Sequence, residues 1–403
     1  MSSPSKLPAA LASLAHTAFR RFWILQLVSL IGIWMQITAQ GWLVYDLTSS
    51  KFLLGVINAV GGLPILFLSP FGGVIADRFN RKHLLVLTQI IFSLGAFLIG
   101  VLISTGQVRF WNLTVIAFIG GVVNALDSPA RMAFFVELID IRSLSNAIAL
   151  NSLAFNFARI LGPALAGYLV GAVGIEICFY LNATAFLPAI IGMRYIRGSF
   201  APKASQAVSV GRSLKDGARY IGEHKDVLYS LLLVTLSSIF VMPFAVLMPV
   251  FARDILKVGP QGLGTLMAFT GFGAFIGSFL LAQFSSRLDF QKSIYYSTLL
   301  VVGSLSFFAF STVFAWSCLA LALLGLGVVV QVASINTYIQ NAVSNELRGR
   351  VMSFYTLCFM GFMPVGALQA GVVSQALGAP FSLALGAVVL LLPVGVMLLK
   401  KKG

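Results

Sequence analysis

The sequence predicts an all-α membrane protein, with twelve transmembrane helices in two pseudo-symmetric six-helix bundles. Three observations carry this. Hydrophobic residues make up 59% of the 403 and charged residues only 10%, against about 25% charged in an ordinary soluble domain. Five charge-free runs (22–45, 52–76, 84–108, 227–252 and 258–286) hold 24 to 29 residues each, and crossing a bilayer takes about 20. Two longer runs, 293–345 and 351–399, hold 53 and 49, room for two spans apiece. Backbone polar groups must be paired within the segment in hydrocarbon, so these runs are helices. The short alternating segments of a transmembrane barrel are absent.

In chain order, spans are expected near 19–45, 52–76, 84–106, 110–134, 144–172, 175–196, 227–252, 260–286, 291–312, 316–340, 350–376 and 380–399. Breakers mark the turns: Thr48-Ser49-Ser50, Ser104-Thr105-Gly106, Pro260 among glycines, and Gly378-Ala379-Pro380. The first run is too long for a signal-peptide core. Lys and Arg set the orientation. With the N-terminus in the cytoplasm, 22 basic residues fall inside, four outside, and Arg159 within span five. Both termini are therefore expected to be cytoplasmic. The net charge of +15 is read as this topology signal and not as a nucleic-acid surface. Cys178, Cys318 and Cys358 all lie in apolar runs, as small buried hydrophobes do.

The one long loop, 194–226, divides the chain into an N-terminal bundle over 1–196, a cytoplasmic linker over 197–226 and a C-terminal bundle over 227–403. Within it Leu214, Ala218 and Ile221 recur at helical spacing beside Arg212, Lys215 and Arg219. A short amphipathic helix on the inner membrane surface and a disordered linker both fit. The halves look related. Gly162, Gly167 and Gly174 match Gly366, Gly371 and Gly378 at an offset of 204, as Gly73 matches Gly277. Leu54-Gly55 and Gly62 match Leu263-Gly264 and Gly271 at an offset of 209. Parallel repeats of this kind place a site between them at mid-membrane.

Between spans two and three, Gly73-Val-Ile-Ala-Asp77-Arg78-Phe-Asn80-Arg81-Lys82 resembles the G-x-L-x-D-R-x-G-R-K/R loop signature of the major facilitator superfamily. Asn80 replaces a glycine, and Asn tolerates left-handed backbone angles. Tyr45-Asp46-Leu-Thr-Ser49, Asp127-Ser-Pro129-Ala-Arg131, Arg159-Ile-Leu-Gly-Pro163 and Glu346-Leu-Arg348-Gly-Arg350-Val-Met-Ser353 resemble the enterobactin-exporter and macrolide-efflux branch. The resemblance spans essentially the whole chain. It implies secondary transport by alternating access in a prokaryotic plasma membrane, more export than uptake, of small amphipathic molecules such as drugs or siderophores. A lysophospholipid flippase or uncoupled facilitator is the alternative. The chain is expected to act as a monomer in the lipid bilayer, with a small-molecule substrate and protons as a candidate coupling ion.

The resemblance also implies roles for residues. Asp77 would face the N-terminus of span eleven near 349–352, where free N–H groups and the helix dipole attract an anion. Gly73, Asp77, Arg78, Arg81, Lys82, Asp127, Arg131, Arg348 and Arg350 would then form a conformational latch. Arg81 would pair with Asp127; Arg131, one turn from Asp127, is an alternative partner. Gly162, Pro163 and Gly167 resemble the span-five signature of proton-driven exporters and would supply packing and a hinge. The cavity, between spans one, four, seven and ten, would take Trp34, Gln36, Gln40, Asn124, Phe240, Gln331 and Asn336, together with Asn156 and Arg159 on span five. Arg159, midway along an apolar helix, costs about 2.5–3.5 kcal/mol on the insertion scale. It suits an anionic substrate, a charge partner, or a structural anchor. Asp127 is the candidate for proton coupling, though span one carries no mid-membrane acid. His16, His83 and His224 are far apart, and no hydrolase or phosphate-loop pattern appears. An enzyme, a metal centre, a cofactor and an ATP-driven pump are not expected.

Overall fold

The computed structural model describes residues 13–140, 143–196 and 210–400. In it the charge-free runs are helices. The N-terminal bundle holds α1 (Thr17–Thr48), α2 (Lys51–Arg78), α3 (Arg81–Ser104), α4 (Phe110–Glu137), α5 (Leu144–Ala172) and α6 (Glu176–Met193). A linker helix follows, α7 (Val210–Glu223). The C-terminal bundle holds α8 (Lys225–Ile255), α9 (Gly259–Phe284), α10 (Phe290–Phe310), α11 (Phe314–Ala342), α12 (Asn345–Leu377) and α13 (Ala379–Lys400). Eleven of the bundle helices are long and apolar enough to cross a membrane, and α13 is apolar over Ala379–Pro393.

Local chemistry sets the helix ends. Ser49 takes a left-handed conformation (φ 49°) after α1, and the Ser50 hydroxyl accepts from Leu53 N to start α2. Asp289 starts α10 by accepting from Gln291 N and Lys292 N. Asn80 is not left-handed as expected. Its φ is −64°, and its side chain caps α3 by accepting from Lys82 N and His83 N. The glycine of the family signature is replaced here by an N-cap.

Two spans carry π-helical turns, which the sequence did not announce. They lie at Ser237–Val241 and Phe251–Ile255 in α8, and at Leu357–Gly361 in α12. Pro243, Pro249 and Pro364 sit close by. Proline removes a backbone donor, and a widened turn accommodates the break.

The halves meet through paired close crossings that follow the glycine repeats. A methyl on Gly55 would come within 2.5 Å of Ala367 O and 3.0 Å of Gly371 Cα. At the repeat-related positions, a methyl on Gly264 would come within 2.4 Å of Pro163 O and 2.8 Å of Gly167 Cα. Thus α2 crosses α12 as α9 crosses α5. A second pair lies within the halves: Gly162 admits α1 against α5, and Gly366 admits α8 against α12.

The crossings lie toward the end of the molecule opposite the linker. There Tyr45 Oη donates to the Asp254 carboxylate, Arg253 donates to Tyr45 O at 3.1 Å, and Arg253 pairs with Asp46 at 3.5 Å. Tyr45 and Asp254 are themselves 209 residues apart, the offset that relates Gly55 to Gly264. Gln375 Oε1 accepts from Lys51 N and Phe52 N across the same seam. Among the described residues, the side-chain bonds between the halves gather at this end.

At the other end α7 docks on the C-terminal bundle instead of lying alone on a membrane surface. Asp216 pairs with Arg350 at 2.5 Å, Tyr220 Oη donates to Ala342 O, and Gly217 sits on Phe354. Ile221 is buried, whereas Ala218, expected on the apolar face, is exposed.

Candidate functional site: a two-walled central cavity

A cavity of about 400 Å³ lies between the halves, next to the glycine crossings. Its N-terminal wall comes from α1 and α2, with Trp34, Thr38, Gln40 and Asn58 among apolar neighbours. Its C-terminal wall comes from α8, α9 and α12, with Met242, Met248, Met267, Met360 and Met363 beside Pro243, Pro249 and Pro364. The π-turns of α8 and α12 flank this methionine wall. Met is unbranched and polarisable, so such a wall can reshape around different apolar groups. Two polar side chains of the opposite wall are partly committed: Thr38 Oγ1 donates to Trp34 O and Asn58 Nδ2 to Leu54 O. Gln40 makes no side-chain hydrogen bond among the described residues, which leaves its amide open to a ligand.

Trp34 is held by three residues of α5. Gly162 leaves the space its Cβ occupies, 2.5 Å from where a methyl on Gly162 would stand. Phe155 meets its ring edge-on at 5.6 Å. Arg159 lies over the ring with Cζ 5.7 Å from the centroid, a cation–π contact. Among the described residues the Arg159 guanidinium has no hydrogen-bond or carboxylate partner. Its main-chain oxygen backs onto Gly271 of α9, so Arg159 sits where α1, α5 and α9 converge. Pro163 is buried one residue on from Gly162, and Gly167 makes the α5–α9 crossing.

Trp34 and Gln40 therefore line the cavity, and Arg159 adjoins it through Trp34. Other expected cavity residues are elsewhere. Gln36, one turn before Gln40, accepts from Asn182 Nδ2 of α6 at 2.5 Å. Gln331 is fully buried inside the C-terminal bundle, where it accepts from Ser237 and donates to Thr298 at 2.8 Å. The Phe240 carbonyl packs on Gly386 of α13. Asn336 accepts from Gln340. Asn156 is buried and donates to Ser152 O. Asn124 is exposed on α4, outside the cavity wall. Neighbouring helices capture Gln36 and Gln331, and Asn156 and Asn336 are paired one turn away on their own helices, since an unpaired amide in hydrocarbon is costly.

The expected latch residues divide into separate groups. The expected Arg81–Asp127 pair does not form: Arg81 pairs with Glu137, and Asp127 with Arg131 at 2.7 Å. Asp127 also accepts from Thr88 at 2.6 Å and Gln89 at 3.3 Å. This buried carboxylate is thus committed to the α3–α4 interface. Lys82 Nζ donates to Ile196 O, and Arg78 is exposed in the last turn of α2. Arg348 donates to Gln340 O, while Arg350 holds the linker helix. The side chain of Asp77 and the surroundings of Gly73 lie outside the described residues.

Met242 and Met248 stand on span seven, one of the four spans expected to line the cavity, whereas Met267, Met360 and Met363 stand on spans eight and eleven, outside that expectation. Met360 and Met363, just before Pro364 and Gly366, were the available signal for the span-eleven part of the wall.

Comparison with known proteins places this architecture. The model of the transmembrane secretion effector family, of the major facilitator type, matches residues 8–402. The staphyloferrin A transporter of Staphylococcus aureus is 23% identical over 354 residues, covering 86% of this chain and 87% of that protein. Macrolide efflux protein A of Streptococcus pyogenes is 22% identical over 377 residues, covering 89% and 90%. The crystal structure of a bacterial homologue of the human lysosomal transporter Spinster superposes with a TM-score of 0.75 at 14% identity, covering 94% of this chain and 95% of that one. With helices throughout, two related bundles and a family match along nearly its full length, the chain belongs to the transmembrane secretion effector family of major facilitator transporters, integral membrane proteins and not enzymes.

Proposed function

We propose that the chain exports small amphipathic molecules from the bacterial cytoplasm by alternating access, with the halves 1–196 and 227–403 rocking about the central cavity and 197–226 tethering them. The observation that carries this is the cavity itself: polar on one wall, methionine-lined on the other, and next to an end closed by bonds between the halves. The bias of 22 basic residues against four supports placing the linker end in the cytoplasm. The sealed end then faces outward, and the state described here loads from within. The efflux function of the macrolide relative supports the outward direction.

In this reading the Asp77 motif serves the opposite state, in which the linker end closes. Proton coupling runs through Asp127 only if that carboxylate is released from Arg131. The test is a panel of amphipathic substrates in sealed vesicles, with and without an imposed proton gradient. Extrusion of a subset of the panel is expected. Uptake alone, or no movement of any compound, overturns the reading. A rate independent of the gradient makes the protein an uncoupled facilitator.

A further inference from the structure

We infer that Arg159 and Trp34 form an anion subsite of the central cavity, and that the substrates are amphipathic monoanions: a carboxylate on an apolar, preferably aromatic, body. The inference rests on the central cavity being the substrate site.

Three observations converge. First, among the described residues, the charged side chain shown packed on the cavity-lining Trp34 is a cation. Among the described residues lining the cavity there is no Asp, Glu, Lys, His or Arg, and Arg159 adjoins it through Trp34. With no carboxylate in the wall to neutralise the guanidinium, the field in the cavity favours a negative ligand.

Second, the guanidinium is fixed without its donors being consumed. The cation–π contact with Trp34 holds the group by its charge and not through a hydrogen bond to an acceptor, and guanidinium N–H donors point outward in its plane. Those donors have no partner among the described residues. A carboxylate would match them as a fork. Trp34 is in turn locked by Phe155 and by the missing side chain of Gly162, so the subsite is built before ligand arrives.

Third, the facing wall is apolar and adaptable, with Met267, Met242 and Met360 across the cavity. Methionine sulfur also favours aromatic ring edges. A ligand with its acid on Arg159 would lay an apolar body on this wall. The volume of about 400 Å³ suits a compact aromatic acid, since small-molecule pockets run from about 300 to 1,000 Å³.

The test uses the full chain in phosphatidylcholine nanodiscs, with anthracene-2-carboxylate and its neutral carboxamide as matched fluorescent probes. Empty nanodiscs give the lipid background. The acid is expected to bind about 10- to 100-fold more tightly than the amide, the range of a charge-assisted hydrogen bond. Arg159→Gln is expected to abolish that preference by weakening the acid alone, and Arg159→Lys to keep part of it. Equal binding of acid and amide to the unaltered protein overturns the inference, and this comparison needs no variant to fold. Arg159→Gln with the acid preference intact but lower thermal stability overturns it too, because Arg159 is then a structural anchor. Displacement of neither probe by lysophosphatidylglycerol is expected; tight binding of that lipid without binding of the aryl acid overturns the carboxylate in favour of a lipid headgroup. Binding is read without transport, so an acid preference in a protein that moves nothing leaves the subsite standing and removes the export reading.

Discussion

Adding one methyl at Gly264 should drive the two halves apart at the sealed end. The β-carbon of an alanine there would fall 2.4 Å from Pro163 O and 2.8 Å from Gly167 Cα, both backbone atoms, and contact needs about 3.5 Å or more. No rotamer relieves this, so α5 and α9 must separate by roughly 1 Å. Overpacking a close helix contact costs about 1–3 kcal/mol. The crossing joins the two halves at the shut end, so under alternating access the cost should fall on the state closed there and not on the fold of either bundle. At 1.4 kcal/mol per factor of ten, the equilibrium shifts about 5- to 150-fold toward the state open at that end. Gly55→Ala, whose methyl would lie 2.5 Å from Ala367 O, should shift it similarly because the two crossings are related by the repeat. The assay is the labelling rate of Gln40→Cys by an impermeant thiol reagent applied from outside, with Cys358 replaced. A rise in that range, at unchanged expression and thermal stability, is expected for both variants. An unchanged rate, or loss of folded protein in place of a rise, refutes the view that these glycines regulate the state.

Tyr45→Phe leaves Asp254 without its donor at the same seam and should raise the same labelling rate by the equivalent of about 1.5–3 kcal/mol, the worth of a hydrogen bond to a charged group; Phe behaving as Tyr removes the bond from the seal. Asp127→Asn should lower the melting temperature, since Arg131 loses its carboxylate, while leaving the response to a proton gradient intact; loss of that response at unchanged stability makes Asp127 the coupling residue. Gly162→Ala should displace Trp34, seen as a shift in tryptophan emission, at a stability cost of about 1–3 kcal/mol; unchanged emission counts against the role given to Gly162. A cysteine at Ser205 should react with impermeant reagent only in permeabilised cells and one at Ser50 in intact cells, and the reverse pattern inverts the topology.

The fold was legible because lipid leaves a coarse mark. A run of 24 uncharged residues has few alternatives to a spanning helix, and a helix stands at every expected span to within a few residues. The glycine offsets were legible as well, and the structure gives them a meaning: Gly55, Gly167, Gly264 and Gly371 are where helices of opposite halves touch. The cavity residues were harder to read. Gln36 and Gln40 share a helix face, yet that face borders both α6 and the cavity, and only Asn182 decides which amide is captured. Gln331 is expected in the cavity from its place on span ten, but its partners Ser237 and Thr298, far away in sequence, hold it inside the bundle. Glu137, the partner of Arg81, is 56 residues from it, a pairing that no local pattern encodes. The π-turns also left no periodic trace, being a response to prolines and to packing around the methionine wall.

The bond between Tyr45 and Asp254 bears on how such a chain could have arisen. If the two halves descend from one duplicated segment, these residues began as the same residue facing its own copy across the axis. Two tyrosines there would leave no acceptor carboxylate, and two aspartates would set like charges against each other. A hydroxyl donating to a carboxylate therefore needs two different residues and cannot be built from identical copies. This clasp at the outer seam postdates the loss of symmetry, whereas the glycine crossings beside it needed only small residues and could have served an ancestral pair of identical subunits unchanged.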